Sequence, residues 1–249
     1  MDLLLEATAR AEREHFWFKG FRRFVTPLLE EAAAGRTGLR LLDCGCGTGV
    51  NLALLQRHGQ EYGIDITWRG LEFARARGHR RLARADAARL PFPDARFDIV
   101  SSFDVIYSLP DEAERLAALE MHRVLKPGGI LVLNVAAMNV LRGNHSVLSQ
   151  ELRRYDRPRL RRVLEQAGFH VERMTYTNVT LFPVILAVRS AQRWLGLKSE
   201  EDADAEITVP PKPVNGLLSA LLAVEAQLVS RVDLPFGSSL LCIARRPTG

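Results

Sequence analysis

The chain has 249 residues, of which 47% are apolar and 25% charged, enough apolar content to bury the core of one large α/β domain. A net charge of +5 admits nucleic acid as a partner, but apart from Lys19, Lys126, Lys198 and Lys212 the basic residues are arginines, and a spread of helix arginines is more often a solvated face than a binding groove. Cys44, Cys46 and Cys242, an odd number with one close pair, make neither a disulfide framework nor a four-ligand zinc site.

In chain order, residues 2–34 read as helical, with Phe16, Trp17, Phe18, Phe21 and Phe24 clustered where two helices meet. From Leu39 the pattern changes to strand and helix in alternation, through the strand-like runs ending at Asp43, Asp65 and Asp86 and the run Phe97–Leu109. That alternation implies a parallel sheet with helices on both faces. A helix is expected over Asp111–Leu125, a turn at Lys126–Gly129 because Pro127 cannot continue a helix, and a strand over Ile130–Val135. Residues 156–167 read as a helix with Pro158 in its first turn and Gly168 as its stop, followed by a strand from Phe169 to about Thr177.

Two apolar helices, about Leu181–Leu195 and Val214–Val232, then flank the acidic, proline-containing segment Ser199–Pro213, and residues 238–246 end the pattern as a strand. If the last two strands pair antiparallel, roughly 60 residues stand where a hairpin loop would suffice, and an insertion of that size is usually functional or disordered. The chain is therefore expected to be one domain with an N-terminal helical appendage (1–35), a core (36–178), a helical insertion (179–236) and a last strand with tail (237–249). The N-terminal residues 1–14 lack the long apolar region of a signal peptide, and the longest apolar runs are broken by Arg189 and Glu225 short of the roughly 18 residues a membrane span needs. The expectation is a cytoplasmic protein.

The chemistry concentrates in residues 41–49, an apolar strand running into Asp43-x-Gly45-x-Gly47-x-Gly49 and then a helix. Glycines there let the backbone turn tightly and approach a ligand without Cβ collisions. A glycine triplet alone also fits a dinucleotide-binding oxidoreductase, so the context decides. Asp86 leads into a Leu-Pro-Phe-Pro-Asp run (90–94), and Arg-Val-Leu-Lys-Pro-Gly-Gly (123–129) follows.

In this order the stretches resemble the class I S-adenosylmethionine-dependent methyltransferases, from the glycine motif through most of the chain. The resemblance implies a Rossmann-like, seven-stranded, mostly parallel sheet with the 1–35 segment as a helical lid. It implies S-adenosylmethionine as cofactor, with Asp43, Gly45, Gly47 and Gly49 at its methionine end, Asp65 accepting both ribose hydroxyls and Asp86 contacting the adenine amino group. Asn51, Ile66, Ala87 and Phe103 complete the expected cofactor-binding set. Taken singly, Asp65 reads as an ordinary strand-end carboxylate and Asp86 as a cap; taken together the cofactor reading is favoured.

Glu14–Arg23, with its run Phe16-Trp17-Phe18, is similar to the N-terminal signature of a bacterial type 11-like subgroup. That likeness implies a lid over the cofactor to which Trp17 and Arg22 belong, Arg22 as partner of the methionine carboxylate; a hydrophobic staple holding the first helix to the core is the other reading. The subgroup's later segment matches at His145, Arg153, Arg154 and Tyr155, but Ser146 replaces its aspartate and Gln150 or Glu151 its second histidine, so roles at those two positions do not carry over.

Methyl transfer asks mainly for positioning and exclusion of water, with a base only where the acceptor loses a proton. His145 is the expected base and Tyr107 the residue that orients the acceptor, while His58, His79, His122 and His170 read as structural. The apolar insertion, Leu181, Phe182, Val184, Ile185, Leu186, Leu217, Leu218, Leu221 and Leu222, suggests a small hydrophobic or lipid-like acceptor, with peripheral membrane contact or packing on another subunit as alternatives. The competing functions are an RNA methyltransferase, supported by arginines at 75, 77, 80, 81 and 84 and from 153 to 162, and a non-catalytic S-adenosylmethionine-binding protein. No compact Asp/Asn cluster marks a metal, and the acceptor atom and the oligomeric state stay open.

Overall fold

In the computed structural model, which describes residues 2–195 and 207–248, a seven-stranded sheet runs in the order β3-β2-β1-β4-β5-β7-β6. Its strands are β1 (Leu39–Cys44), β2 (Gly59–Asp65), β3 (Leu82–Arg84), β4 (Phe97–Phe103), β5 (Leu125–Ala136), β6 (His170–Thr177) and β7 (Ser239–Arg245). All neighbours pair parallel except β7, which lies antiparallel between β5 and β6.

The alternation of side chains sorts the core into two layers. Leu42, Cys44, Leu131, Leu133 and Val135 face one cluster, together with Met121 and Leu164. Leu39, Leu41, Ile130 and Val132 face the other, with Phe24, Leu28, Leu222 and Ala226. Both faces are covered, which is why these strands read as nearly continuous apolar runs. The first layer carries α5 (Asp111–Val124) and α7 (Arg157–Gln166); the second carries α2 (Phe16–Ala33) and α9 (Lys212–Val229).

Local signals account for most element ends. Asp156 caps α7, its carboxylate accepting from Arg159 N at 2.8 Å, and α4 (Trp68–Ala76) starts at Thr67, whose hydroxyl accepts from Gly70 N. The N-terminal segment is two helices, α1 (Asp2–Ala11) and α2, with His15 capping the second by accepting from Trp17 N.

The fifth strand begins earlier than expected, at Leu125 rather than Ile130. Leu125 pairs with Phe97 before the register shifts at the glycine pair, so the turn is a bulge within an extended run. The insertion opens with α8 (Phe182–Leu195), which packs on the short turn Asn139–Leu141 beyond β5. The acidic part of the segment between the two inserted helices, Ser199–Glu206, lies outside the described residues. No helix among the described residues is long and apolar enough to cross a membrane.

Candidate cofactor and acceptor site

Strand order reverses between β1 and β4, and in open α/β sheets the crevice beyond the carboxyl ends of such strands is where ligands bind. The glycine motif leaves β1 at that point. Gly45, Gly47 and Gly49 all have positive φ (84°, 48° and 78°), values that other L-residues adopt at a cost. The space beside Gly45 is filled by Val105, from the turn after β4. Gly47 is the open one: a Cβ there would meet only Leu5 Cδ2, at 3.5 Å.

Two carboxylates organise the loop. Asp65, at the end of β2, accepts from Gly47 N (2.8 Å), Thr67 N (2.8 Å) and Thr67 Oγ1 (2.6 Å), which leaves one acceptor position open on Oδ2. Asp43, 1% exposed, accepts from Ser101 Oγ at 2.7 Å. Burial pushes its carboxyl up to about 7, the hydrogen bond from Ser101 opposes the rise and the charge of Asp65 adds to it.

A carboxyl whose pKa is raised on folding binds more protons in the folded than in the unfolded state, so its contribution to stability is lost as pH rises from about 4 to about 7. Asp43→Asn removes that dependence. The difference in Tm, variant minus wild type, is expected to increase from pH 5 to pH 8 in thermal melts, and a constant difference would contradict the assignment.

The remaining expected cofactor residues are distributed as follows. Asn51 precedes the short α3 (Leu52–Leu55), makes no capping bond, and its Oδ1 is buried without a partner. Ile66 is 52% exposed beyond β2. Asp86 is exposed and accepts from Ala88 N at 2.8 Å, while Ala87 is buried. Phe103, at the end of β4, meets Phe21 edge-to-face at 5.2 Å.

Helix α1 lies across the glycine loop. Besides the Leu5 contact, Glu12 accepts from Thr48 Oγ1 at 2.7 Å, pairs with Arg77 and offers its carbonyl to Arg22 Nη2 at 3.0 Å. Arg22, the expected carboxylate partner, therefore holds the α1–α2 junction. Glu12 is fully buried, and burial raises its carboxyl despite Thr48 and three arginines. Phe16, the first residue of α2, packs on the second core layer, and Trp17 is half-buried beside it.

Tyr107, expected to orient the acceptor, is buried in the turn after β4, with its hydroxyl in reach of Ser149, and burial pushes its pKa up. The side chain of His145 lies outside the described residues, although its backbone belongs to α6 (Asn144–Leu148). Arg154 pairs with Glu151 at 3.0 Å, and Tyr155 is buried with its hydroxyl on Glu114. Glu12 and its tie to Thr48 were not singled out from sequence, because nothing local marks a contact across 36 positions. Among the described residues no group of three or more His, Cys, Asp or Glu is placed to hold a metal.

Many of the arginines that supported an RNA substrate have partners within the fold. Arg77 pairs with Glu12, Arg84 donates to Ile66 O at 2.8 Å, Arg153 pairs with Asp111 and Arg157 donates to Leu234 O at 2.7 Å.

Residues 42–133 match the family model described as a methyltransferase domain. A Mycolicibacterium smegmatis protein described as an S-adenosylmethionine-dependent methyltransferase is 32% identical over 163 residues, 64% of this chain and 61% of its own. The ubiquinone/menaquinone biosynthesis C-methyltransferase UbiE of Shewanella pealeana is 30% identical over 199 residues, 65% of this chain and 77% of its own. Of two curated relatives that it matches, the chain spans only 44% and 61% of the length. The crystal structure of the [4+2]-cyclase SpnF superposes with a TM-score of 0.59 at 25% identity, covering 91% of this chain and 81% of that one. The glycine cradle left open at Gly47, the free acceptor position on Asp65 and the unpaired Asn51 Oδ1 fit a nucleoside bearing hydroxyl and amino donors. On the matched domain and these relatives, the chain belongs to the class I S-adenosylmethionine-dependent methyltransferases.

Proposed function

We propose that the methyl acceptor is a small hydrophobic or lipid-like molecule, bound where the carboxyl end of β4 meets the inserted helices. The observation that supports this is the apolar cluster that Phe103, at the end of β4, shares with the inserted helices. Phe103 and Phe21 stack edge-to-face, and Leu181 and Ile185 of the α8 segment and Leu218 and Leu222 of α9 belong to the same cluster. Val184, Leu217 and Leu221, at 64%, 64% and 39% exposure, face outward and take no part in it. The UbiE relative, which acts in ubiquinone and menaquinone biosynthesis, is consistent with such an acceptor.

The cofactor supplies a methyl group already activated on a sulfonium. The chain's residues bind, orient and exclude water. Asp65 holds the Gly47 amide and Thr67 in register while offering its remaining acceptor position to a ribose hydroxyl. Asp43 braces the loop through Ser101, with Gly45, Gly47 and Gly49 lining the methionine end. Asp86, Ala87 and Ile66 lie at the adenosine end, and α1, latched through Glu12 and Thr48, serves as the lid. Tyr107 borders the acceptor side.

Calorimetric titration with S-adenosylmethionine, S-adenosylhomocysteine and NAD, followed by an acceptor screen of apolar phenols and lipids beside polar counterparts, tests this reading. Binding of the two sulfur nucleosides without NAD, and methylation of the apolar set, are expected. Turnover confined to polar acceptors would refute the acceptor class.

A further inference from the structure

The turn after β4 holds a carboxylate that the cofactor site does not use. Asp104 has φ +60°, a left-handed conformation that aspartate tolerates better than most side chains but still at a cost. Its N–H donates to Asn134 O at 3.0 Å, and Asn134 Nδ2 donates to its Oδ1 at 2.9 Å, so β5 clamps both its backbone and its side chain. The next residue, Val105, packs against Gly45, which seats the turn on the glycine loop.

Asp104 is exposed at the carboxyl ends of β4 and β5, although Phe103, Ile106 and Tyr107 around it are buried. The neighbouring Asn134 is 2% exposed, and its Oδ1 has no hydrogen-bond partner. A buried amide oxygen left unpaired is costly and calls for a donor. The charged and titratable groups facing this point are Glu151 and Arg154 from the segment after α6 and Tyr107 from the turn itself.

We propose that Asp104 takes the proton of the methyl acceptor, and that the acceptor group is an O–H or N–H rather than a carbon; this rests on the methyltransferase reading above. Asp104 Oδ2 and Asn134 Oδ1 are both acceptors, and a ligand that brings donors satisfies them, whereas a carboxylate would be repelled. As the acceptor atom bonds to the methyl carbon, the S–C bond breaks with its electron pair retained on sulfur, leaving neutral S-adenosylhomocysteine. The acceptor's proton passes to Asp104 Oδ2 and from there to water. Desolvation by the protein packed around this exposed residue raises the Asp104 carboxyl to about 7, against the hydrogen bond from Asn134, with Glu151 adding and Arg154 opposing. A base in that range suits proton removal near neutral pH.

The test compares wild type with Asp104→Asn and Asp104→Gly, both of which accept the left-handed backbone and keep the turn. Each is titrated with S-adenosylhomocysteine, its aspartate carboxyls are followed by 13C NMR against pH, and turnover is measured on phenols, alcohols and amines in apolar and polar versions. Expected are unchanged nucleoside affinity, one carboxyl titrating near neutral pH in wild type only, and turnover lower by about 10²–10⁴-fold in Asp104→Asn without the rise of kcat through neutral pH. Undiminished turnover in Asp104→Asn, a C-methylated product, an Asp104 carboxyl that titrates in the ordinary acidic range, or no O–H or N–H acceptor for wild type would each overturn the proposal. Polar acceptors that still depend on Asp104 would uphold it while refuting the apolar acceptor class.

Discussion

Gly49→Ala is expected to unfold the cofactor loop, lowering Tm by about 6–12 °C and abolishing S-adenosylhomocysteine binding. Gly49 has φ +78°, and a Cβ there would lie 2.8 Å from Ala74 Cα and 2.6 Å from Ala74 Cβ. The left-handed conformation costs an alanine about 1–2 kcal/mol, and the collision is with the backbone of α4, which cannot swing aside as a flexible side chain does. Shifting that helix adds about 1–3 kcal/mol. Two controls separate the causes. Gly35→Ala shares a positive φ of 71° but meets nothing within 4 Å, so it carries the backbone cost alone. Gly216→Ala, inside α9 with equally open space, is expected to be neutral or to stabilise by about 0.5–1 kcal/mol. Scanning calorimetry of the three variants decides the matter; a Gly49→Ala melt matching that of Gly35→Ala would remove the packing argument.

Asp65→Ala is expected to weaken S-adenosylhomocysteine binding by at least about 100-fold, on the order of 3 kcal/mol. The carboxylate does two things at once. It accepts from Gly47 N, Thr67 N and Thr67 Oγ1, holding the glycine loop against the start of α4, and it has one acceptor position left for a ribose hydroxyl. Hydrogen bonds to a charged acceptor are worth about 1.5–3 kcal/mol each. Thr67→Val separates the contributions, because it deletes one side-chain donor to the carboxylate, together with the cap of α4, and leaves the carboxylate in place; its affinity is expected to stay within about tenfold of wild type, a shift below 1.4 kcal/mol. Titration calorimetry reads both variants, and equal affinity in Asp65→Ala and wild type would remove Asp65 from the cofactor site.

The cofactor side of this molecule was legible in the sequence because its signals are short-range. The strand into Gly45, Gly47 and Gly49 declares a backbone that only glycine adopts freely, and Asp43 and Asp65 stand at the ends of short strand-like runs. The doubly covered sheet was legible for a similar reason, since Leu41-Leu42 or Ile130–Leu133 are apolar on both pleats.

The acceptor side was much less legible. Asp104 looks ordinary until β5 brings Asn134 beside it from 30 positions away. Only the packing of α1 against α2 shows that Arg22 donates to the Glu12 carbonyl. The arginines between 75 and 84 and between 153 and 162 supported an RNA substrate, and the fold gives several of them partners within the protein.

By itself, then, the sequence determined the alternating α/β pattern, the glycine cradle, the family and its cofactor, because each is written in residues a few positions apart whose backbone preferences need no partner. Tertiary structure alone decided that α1 lies across the cradle, that Leu217 and Leu221 turn outward while Leu222 turns in, and that Asp104 is clamped by Asn134 of β5. Those outcomes depend on contacts between distant segments, and burial, pairing and a raised pKa exist only once the segments have met.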